Sequence, residues 1–261
     1  MWWSDVLPRL PHVKGVTITR QGQTLVQQGD PAATMPVGCV FKALLAMLAG
    51  AALQEGRLTS LDQPLAENTA ITLRHALSNT TGLRWPGPGE ALPATLSAAL
   101  SLPAEAAPGA AFAYKPDPQL AVYWLENAYG MPVAELFREK IAAPLALGGI
   151  HWPQNNVEGL QLSLRQMDAL GQLMLRGGDG LFTPAFIRDC LTPHSPGGFP
   201  EQLPYGLGWW IGDGFAMASG FGGQMIALLP RQQTVISVLS AMDRPHPENR
   251  QFLAAALASS L

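Results

Sequence analysis

The chain has 261 residues, 48% of them hydrophobic and 13% charged, with a formal net charge of −3. That length can bury a sizeable core, and this apolar, thinly charged composition is the opposite of the one that keeps chains disordered. There is no lysine or arginine cluster of the kind that phosphate-backbone binding requires, so nucleic acid is not expected as a partner.

The opening MWWSDVLPRL lacks both the basic and the long apolar region of a signal peptide. The longest apolar stretch, Val40 to Leu53, is shorter than the ~20 residues of a membrane span. A complete chain of this kind would stay in the cytoplasm and would not span a membrane. Residues 13 to 28, VKGVTITRQGQTLVQQ, alternate β-branched and polar positions on both sides of Arg20-Gln21-Gly22, which predicts a hairpin. After the breakers Gly29-Asp30-Pro31 and Met35-Pro36, a densely apolar helix runs to about Gln54 and stops at Glu55-Gly56.

Residues 60 to 200 mix helical periods with proline and glycine, and the clearest helices are Pro118 to Tyr129, Val133 to Ile141 and Leu164 to Leu175. From Tyr205 strands return as GLGWWIG, QMIALLP and TVISVLSA, the last two separated by Arg231-Gln232-Gln233. A final helix is expected over Asn249 to Leu261. Strands at both ends with helices between them predict a single α+β domain. An antiparallel sheet from both chain ends (about 1–58 and 203–261) stands beside a helical lobe (about 59–202), with a cleft at their junction.

Lys42 is the only charge between Val40 and Leu53, so its ammonium must be partnered or neutralised. Taken alone it reads as a lysine reaching out from a helix end. Cys39 precedes it by three residues, which puts both side chains on one helix face, with the thiol at the helix start where amide dipoles favour an anion. A buried lysine loses its proton more readily and can act as a base, so the two together have the parts of an activated nucleophile. The alternative is an inert core cysteine. Two cysteines, Cys39 and Cys190, make no disulfide framework, and at least one is expected to be a free thiol.

These residues resemble the serine β-lactamase and penicillin-binding-protein superfamily, in its branch of class C-like esterases and nylon-oligomer hydrolases. The likeness extends over nearly the whole chain. Cys39-Val40-Phe41-Lys42 stands at the Ser-x-x-Lys motif, and Gly56 to Pro64 at the Gly-k-l-x-Leu-Asp-x-Pro turn. Ile71 to Leu77 with Thr80-Thr81-Gly82-Leu83 is similar to the segment written itirhLLtHtSGl. Phe112-Ala113-Tyr114-Lys115-Pro116 stands at the Tyr-x-Asn motif, with Pro116 replacing the asparagine and removing its substrate contact. Ala218-Ser219-Gly220 stands at the Lys/His-Thr/Ser-Gly motif of an edge strand, with Ala218 replacing the cation.

The resemblance implies a β-lactamase/transpeptidase-like fold with Cys39 in place of the nucleophilic serine. It further implies that Tyr114 shares protons with Lys42, its phenolate stabilised by nearby ammonium groups, and that the amides of Cys39 and Phe221 form an oxyanion hole. Ser219, Gly220 and Gly222 would border the substrate. Trp209, Trp210 and Trp152 are candidates for the pocket wall, although a buried tryptophan often only packs. A cysteine nucleophile forms a thioester, which reacts readily with amines, so the expected substrates are esters, amides or thioesters, with water or an amine as acceptor.

A papain-like arrangement needs a histidine at Cys39, and none of His12, His75, His151, His194 and His246 can be placed there. No zinc-ligand spacing, Walker loop or Rossmann fingerprint is present, so no cofactor or metal is expected. The expected partner is a small-molecule acyl substrate. Pro116 and Ala218 also allow a degenerate relative that binds a ligand or partner without turnover.

Overall fold

A computed structural model describes residues 12–87, 89–154 and 156–241. The helix expected over Asn249 to Leu261, His246 and the first eleven residues lie outside the described residues.

The chain opens with the hairpin β1 (Val13–Arg20) and β2 (Gln23–Gln28). Gln21 and Gly22 take φ of 50° and 77°, the two left-handed positions of a tight hairpin turn that suits twisted strands. Strand β3 (Thr34–Pro36) follows, and a single 3-10 turn over Gly38–Val40 feeds helix α1 (Phe41–Gln54). Residues Phe41 to Ala52 of α1 are all buried, as befits a helix that is apolar all round and has no solvent face to offer.

Short helices α2 (Leu73–Leu77) and α3 (Leu96–Leu100) precede α4 (Pro118–Tyr129), whose first-turn proline and left-handed cap at Gly130 match the expected limits. The helix expected from Val133 to Ile141 is divided into α5 (Val133–Phe137) and a π turn over Arg138–Ala142. Strand β4 (Gln161–Ser163) pairs with β3 in a two-stranded sheet. Ser163 then caps α6 (Leu164–Leu175) in a reciprocal capping box with Gln166, and α7 (Pro184–Cys190) follows.

The remaining strands are β5 (Ser195–Gly198), β6 (Leu203–Tyr205), β7 (Trp210–Gly212), β8 (Phe215–Ser219), β9 (Met225–Leu229) and β10 (Thr234–Ser240). They form one eight-stranded antiparallel sheet in the order β2-β1-β10-β9-β8-β7-β6-β5. Both chain ends therefore meet at β1 and β10, which pair over their whole length. The sheet reaches further back into the chain than its expected start at 203, because β5 joins it. Helix α6 also belongs with it: Gly171 lies so close that a Cβ there would come 2.5 Å from Val235 of β10.

Strand side chains divide by period two between the faces. Ile226 and Leu228 of β9 and Val235 and Leu239 of β10 join α1 and the helices in one large core. Met225, Ala227, Leu229, Ile236 and Val238 join Val16, Ile18, Tyr205, Trp210 and Met217 on the opposite face.

Strand β8 is not an edge strand, since β7 and β9 flank it. Its pairing with β7 nevertheless stops at Met217, whereas its pairing with β9 continues to Ser219. The end that carries Ala218-Ser219 thus projects beyond β7, which opens that side of the strand beside Cys39.

Candidate active site

Cys39 occupies the 3-10 turn just before α1, not the α-helix itself, and is partly exposed, while Lys42 in the first turn of α1 is buried. Gly38 makes the approach possible. Its φ is 51°, and a side chain there would come within 3.5 Å of the Phe221 amide nitrogen, so the Cys39 turn and the end of β8 lie side by side. On the other side of the turn, the Val37 amide donates to the Leu160 carbonyl at 3.0 Å. Gly220 completes the junction, because a Cβ there would come 2.3 Å from the Val37 carbonyl oxygen.

Tyr114 reaches the same place from the helical side. Its neighbours are pinned by Asn79: the Ala113 amide donates to the Asn79 carbonyl at 3.0 Å and the Lys115 amide to its Oδ1 at 3.4 Å. Asn79 adopts φ of 55°, a conformation asparagine tolerates better than most residues. Just beyond, buried Asp117 accepts from the Thr81 amide at 2.9 Å, the Thr81 hydroxyl at 2.7 Å and the Trp85 indole at 2.6 Å. Behind Tyr114 stand Trp210 and Tyr205, with ring centroids 5.4 and 6.1 Å away.

The Lys42 ammonium nitrogen lies 3.4 Å from the centroid of the Tyr114 ring, and Tyr114 and Cys39 stand together in the walls of the same cavities. Burial lowers the lysine pKa from its ordinary value, against the opposing pull of Cys39, Glu158 and Asp117. Burial also pushes the Tyr114 phenol well above its ordinary value, reinforced by Tyr205, Cys39 and Glu201. Burial thus works against the phenolate that the resemblance implies, and the lysine nitrogen faces the Tyr114 ring.

Two cavities open on Cys39 and Tyr114. The larger, about 700 Å³, also has Lys42, Lys115, Pro116, Glu90 and Glu158 in its wall. In the smaller, about 190 Å³, the wall includes Ser219, Gly220, Phe221 and Glu201. Lys115 turns to Glu105 and the Leu83 carbonyl. The Gly220 amide is occupied by the Gln224 carbonyl at 2.9 Å. Gly222 packs against the Gln224 side chain.

Trp209 and Trp152 line neither cavity: both are buried in the large core, and Trp152 donates its indole N–H to the Val157 carbonyl at 3.0 Å. Ala218 faces the same core, so the position reserved for a cation holds a packing methyl. Among the described residues no histidine lines either cavity; His75 completes the cap of α2 with Thr72, and His194 meets Asp189 at 3.1 Å. Cys190 is buried, and both cysteines are free thiols. Among the described residues there is no group of side chains that could hold a metal ion, and no helix long and apolar enough to cross a membrane.

Sequence reasoning did not single out Asn79, Asp117 or Glu201. Asn79 adjoins the Thr80-Thr81-Gly82 segment and could have been found by its place after a helix. Glu201 carried no signal, since only the pairing of β5 through β8 brings it to Ser219, to whose hydroxyl it is bonded at 2.8 Å.

An eight-stranded antiparallel sheet with helices, and a two-stranded sheet beside it, define the β-lactamase/transpeptidase-like fold. Residues 12–259 match the family model described as Beta-lactamase, and the chain belongs to that family. Among solved structures, a beta-lactamase from Mycobacterium bovis is 20% identical with a TM-score of 0.76, over 98% of this chain and 97% of that one. A protein described as a 6-aminohexanoate-dimer hydrolase from Bacillus anthracis is 16% identical with a TM-score of 0.80, over 97% and 80%. EstCE1, a hydrolase with promiscuous acyltransferase activity, is 18% identical with a TM-score of 0.72, over 97% and 96%. No match to a curated protein was found.

Proposed function

We infer that this member of the Beta-lactamase family is an acyl hydrolase or acyltransferase that works through a covalent acyl-enzyme on Cys39, with an ester, amide or thioester as substrate. The observation that carries the reading is the convergence at one pair of cavities of a partly exposed thiol, a tyrosine beside it and a lysine over the tyrosine ring whose proton is weakened by burial. A hydrolase and an acyltransferase among the proteins of like fold agree with that chemistry.

In the first half-reaction the Cys39 sulfur forms a bond to the acyl carbonyl carbon. Lys42 and Tyr114, the groups beside the thiol, take up its proton. The carbonyl oxygen, now negative, accepts from the amides of Cys39 and Phe221, donors fixed beforehand by the Gly38 and Gly220 approach. Collapse breaks the bond to the leaving group, which takes that proton back from the same two groups. A thioester remains on Cys39. Water or an amine then attacks it, and the same groups carry the proton back to the departing thiolate.

The test is intact mass after incubation with activated acyl esters. An acyl adduct on Cys39 that disappears in Cys39→Ala is expected, and its absence from the intact protein would overturn the reading. A degenerate binding protein would show saturable binding without acylation; the retention of Lys42 and Tyr114 around the thiol favours turnover.

A further inference from the structure

The carbonyl carbon that Cys39 attacks carries two substituents, the rest of the acyl group and the leaving group, and two cavities open on Cys39. Tyr114 borders both, whereas Lys42 stands in the wall of the larger alone. With the carbonyl oxygen held by the amides of Cys39 and Phe221, the leaving heteroatom must reach the groups that return its proton, and Lys42 is one of them. The leaving group therefore extends into the larger cavity, of about 700 Å³, and the acyl substituent is directed into the smaller, of about 190 Å³. The acceptor that frees the acyl group arrives along the path by which the leaving group departs.

The smaller cavity suits an uncharged, compact group. Its carboxylate and its serine are already engaged: the Ser219 hydroxyl donates to Glu201 Oε1 at 2.8 Å, and Glu201 has a further interaction besides. The Gly220 amide is committed to the Gln224 carbonyl at 2.9 Å. A charged acyl substituent would lose its water there without a free partner in exchange. Phe199 and Phe221 in the same wall are 69% and 60% exposed. The fold thus leaves two aromatic side chains uncovered beside the nucleophile, and an apolar group lodged there removes part of them from water. At the packing density of a protein interior, about 190 Å³ holds about 140 Å³ of van der Waals volume, a chain or ring of about six to eight carbon atoms.

We propose that the smaller cavity is the acyl subsite, selecting a compact, uncharged apolar acyl group, and that the larger cavity receives the leaving group and the acceptor. The assignment of the two halves rests on the acyl-enzyme reading given above; the apolar selectivity of the smaller cavity does not. Substrates are accordingly esters, amides or thioesters of short apolar acids with larger leaving groups.

Reversed esters of equal composition read the direction. 2-(4-Biphenylyl)ethyl butyrate carries its bulk on the alcohol and butyl 4-biphenylylacetate carries it on the acid, and the first should show a kcat/KM about tenfold higher. Equal rates, or a faster second ester, would overturn the proposal. Across phenyl acetate, propionate and butyrate, kcat/KM should rise about threefold per added methylene. Phe199→Ala, at an exposed position outside the core, should flatten that rise, whereas Leu92→Ala in the wall of the larger cavity should preserve it. A series that is flat in the wild type, or a rise undiminished in Phe199→Ala, would also overturn it. Calorimetric titration of the intact protein with 2-pentanone and its ether isostere methoxyacetone, neither of which has a leaving group, separates the two readings. The pentanone should bind about fivefold more tightly, a preference that Phe199→Ala removes. That preference without acylation by any ester would uphold the apolar subsite and sink the acyl-enzyme. Acylation by both reversed esters at equal rates, with no preference between the ketones, would do the reverse.

Discussion

At the scale of single residues, the catalytic role proposed for Lys42 and its effect on stability have one cause, the removal of its amine from water. The folded chain favours the neutral amine, whereas the unfolded chain keeps lysine protonated up to its ordinary value of 10.5. Unfolding below that value therefore takes up protons, so this residue makes stability rise with pH until about 10.5, with the slope confined to the interval between the lowered and the ordinary value. Replacement Lys42→Met should remove that slope in pH-dependent urea unfolding and should stabilise the protein at neutral pH; an unchanged slope would mean that the buried amine is not the source. The same neutral amine predicts that the rate of Cys39 acylation rises with pH through the lowered lysine value. Lys42→Met should abolish this limb and slow acylation by about 10³-fold, whereas Tyr114→Phe should slow it by about 10²-fold. Stopped-flow release of a chromogenic leaving group measures both.

Structural elements bring those groups together, and their junctions are held by backbone contacts. The end of β8 meets the Cys39 turn only because Gly220 has no side chain to strike the Val37 carbonyl. Gly220→Ala should displace the Phe221 amide and lower the acylation rate by about 10²-fold while Cys39 remains alkylated by iodoacetamide, since the thiol is exposed independently of that amide. The start of α4 depends on Asp117, whose three buried bonds tie it to Thr81 and Trp85 next to Tyr114. Asp117→Ala leaves buried donors without acceptors and should cost about 2–4 kcal/mol in urea unfolding. Loss of less than about 1 kcal/mol would show that water replaces the carboxylate.

At the scale of the whole molecule, a single hydrophobic core runs from α1 through α4 and α6 to β9 and β10. The helices and the sheet share it, so they should unfold together. Tryptophan fluorescence and far-ultraviolet circular dichroism are expected to give one coincident thermal transition, and two separate transitions would show independently folding lobes. Sequence patterns alone determined the hairpin at the start, the limits of α4 and α6, and the strands Trp210–Gly212, Met225–Leu229 and Thr234–Ser240, because these depend on local periodicity, turn residues and caps. They also placed Cys39 and Lys42 three residues apart, which is enough to put a thiol and an amine in one neighbourhood. Only tertiary structure decided that Trp152 and Trp209 are core residues, that the lysine faces the ring of Tyr114, and that Glu201 joins the cavity wall. The reason is physical: desolvation and long-range strand pairing depend on what the rest of the chain places around a residue, and no period in the local sequence encodes it.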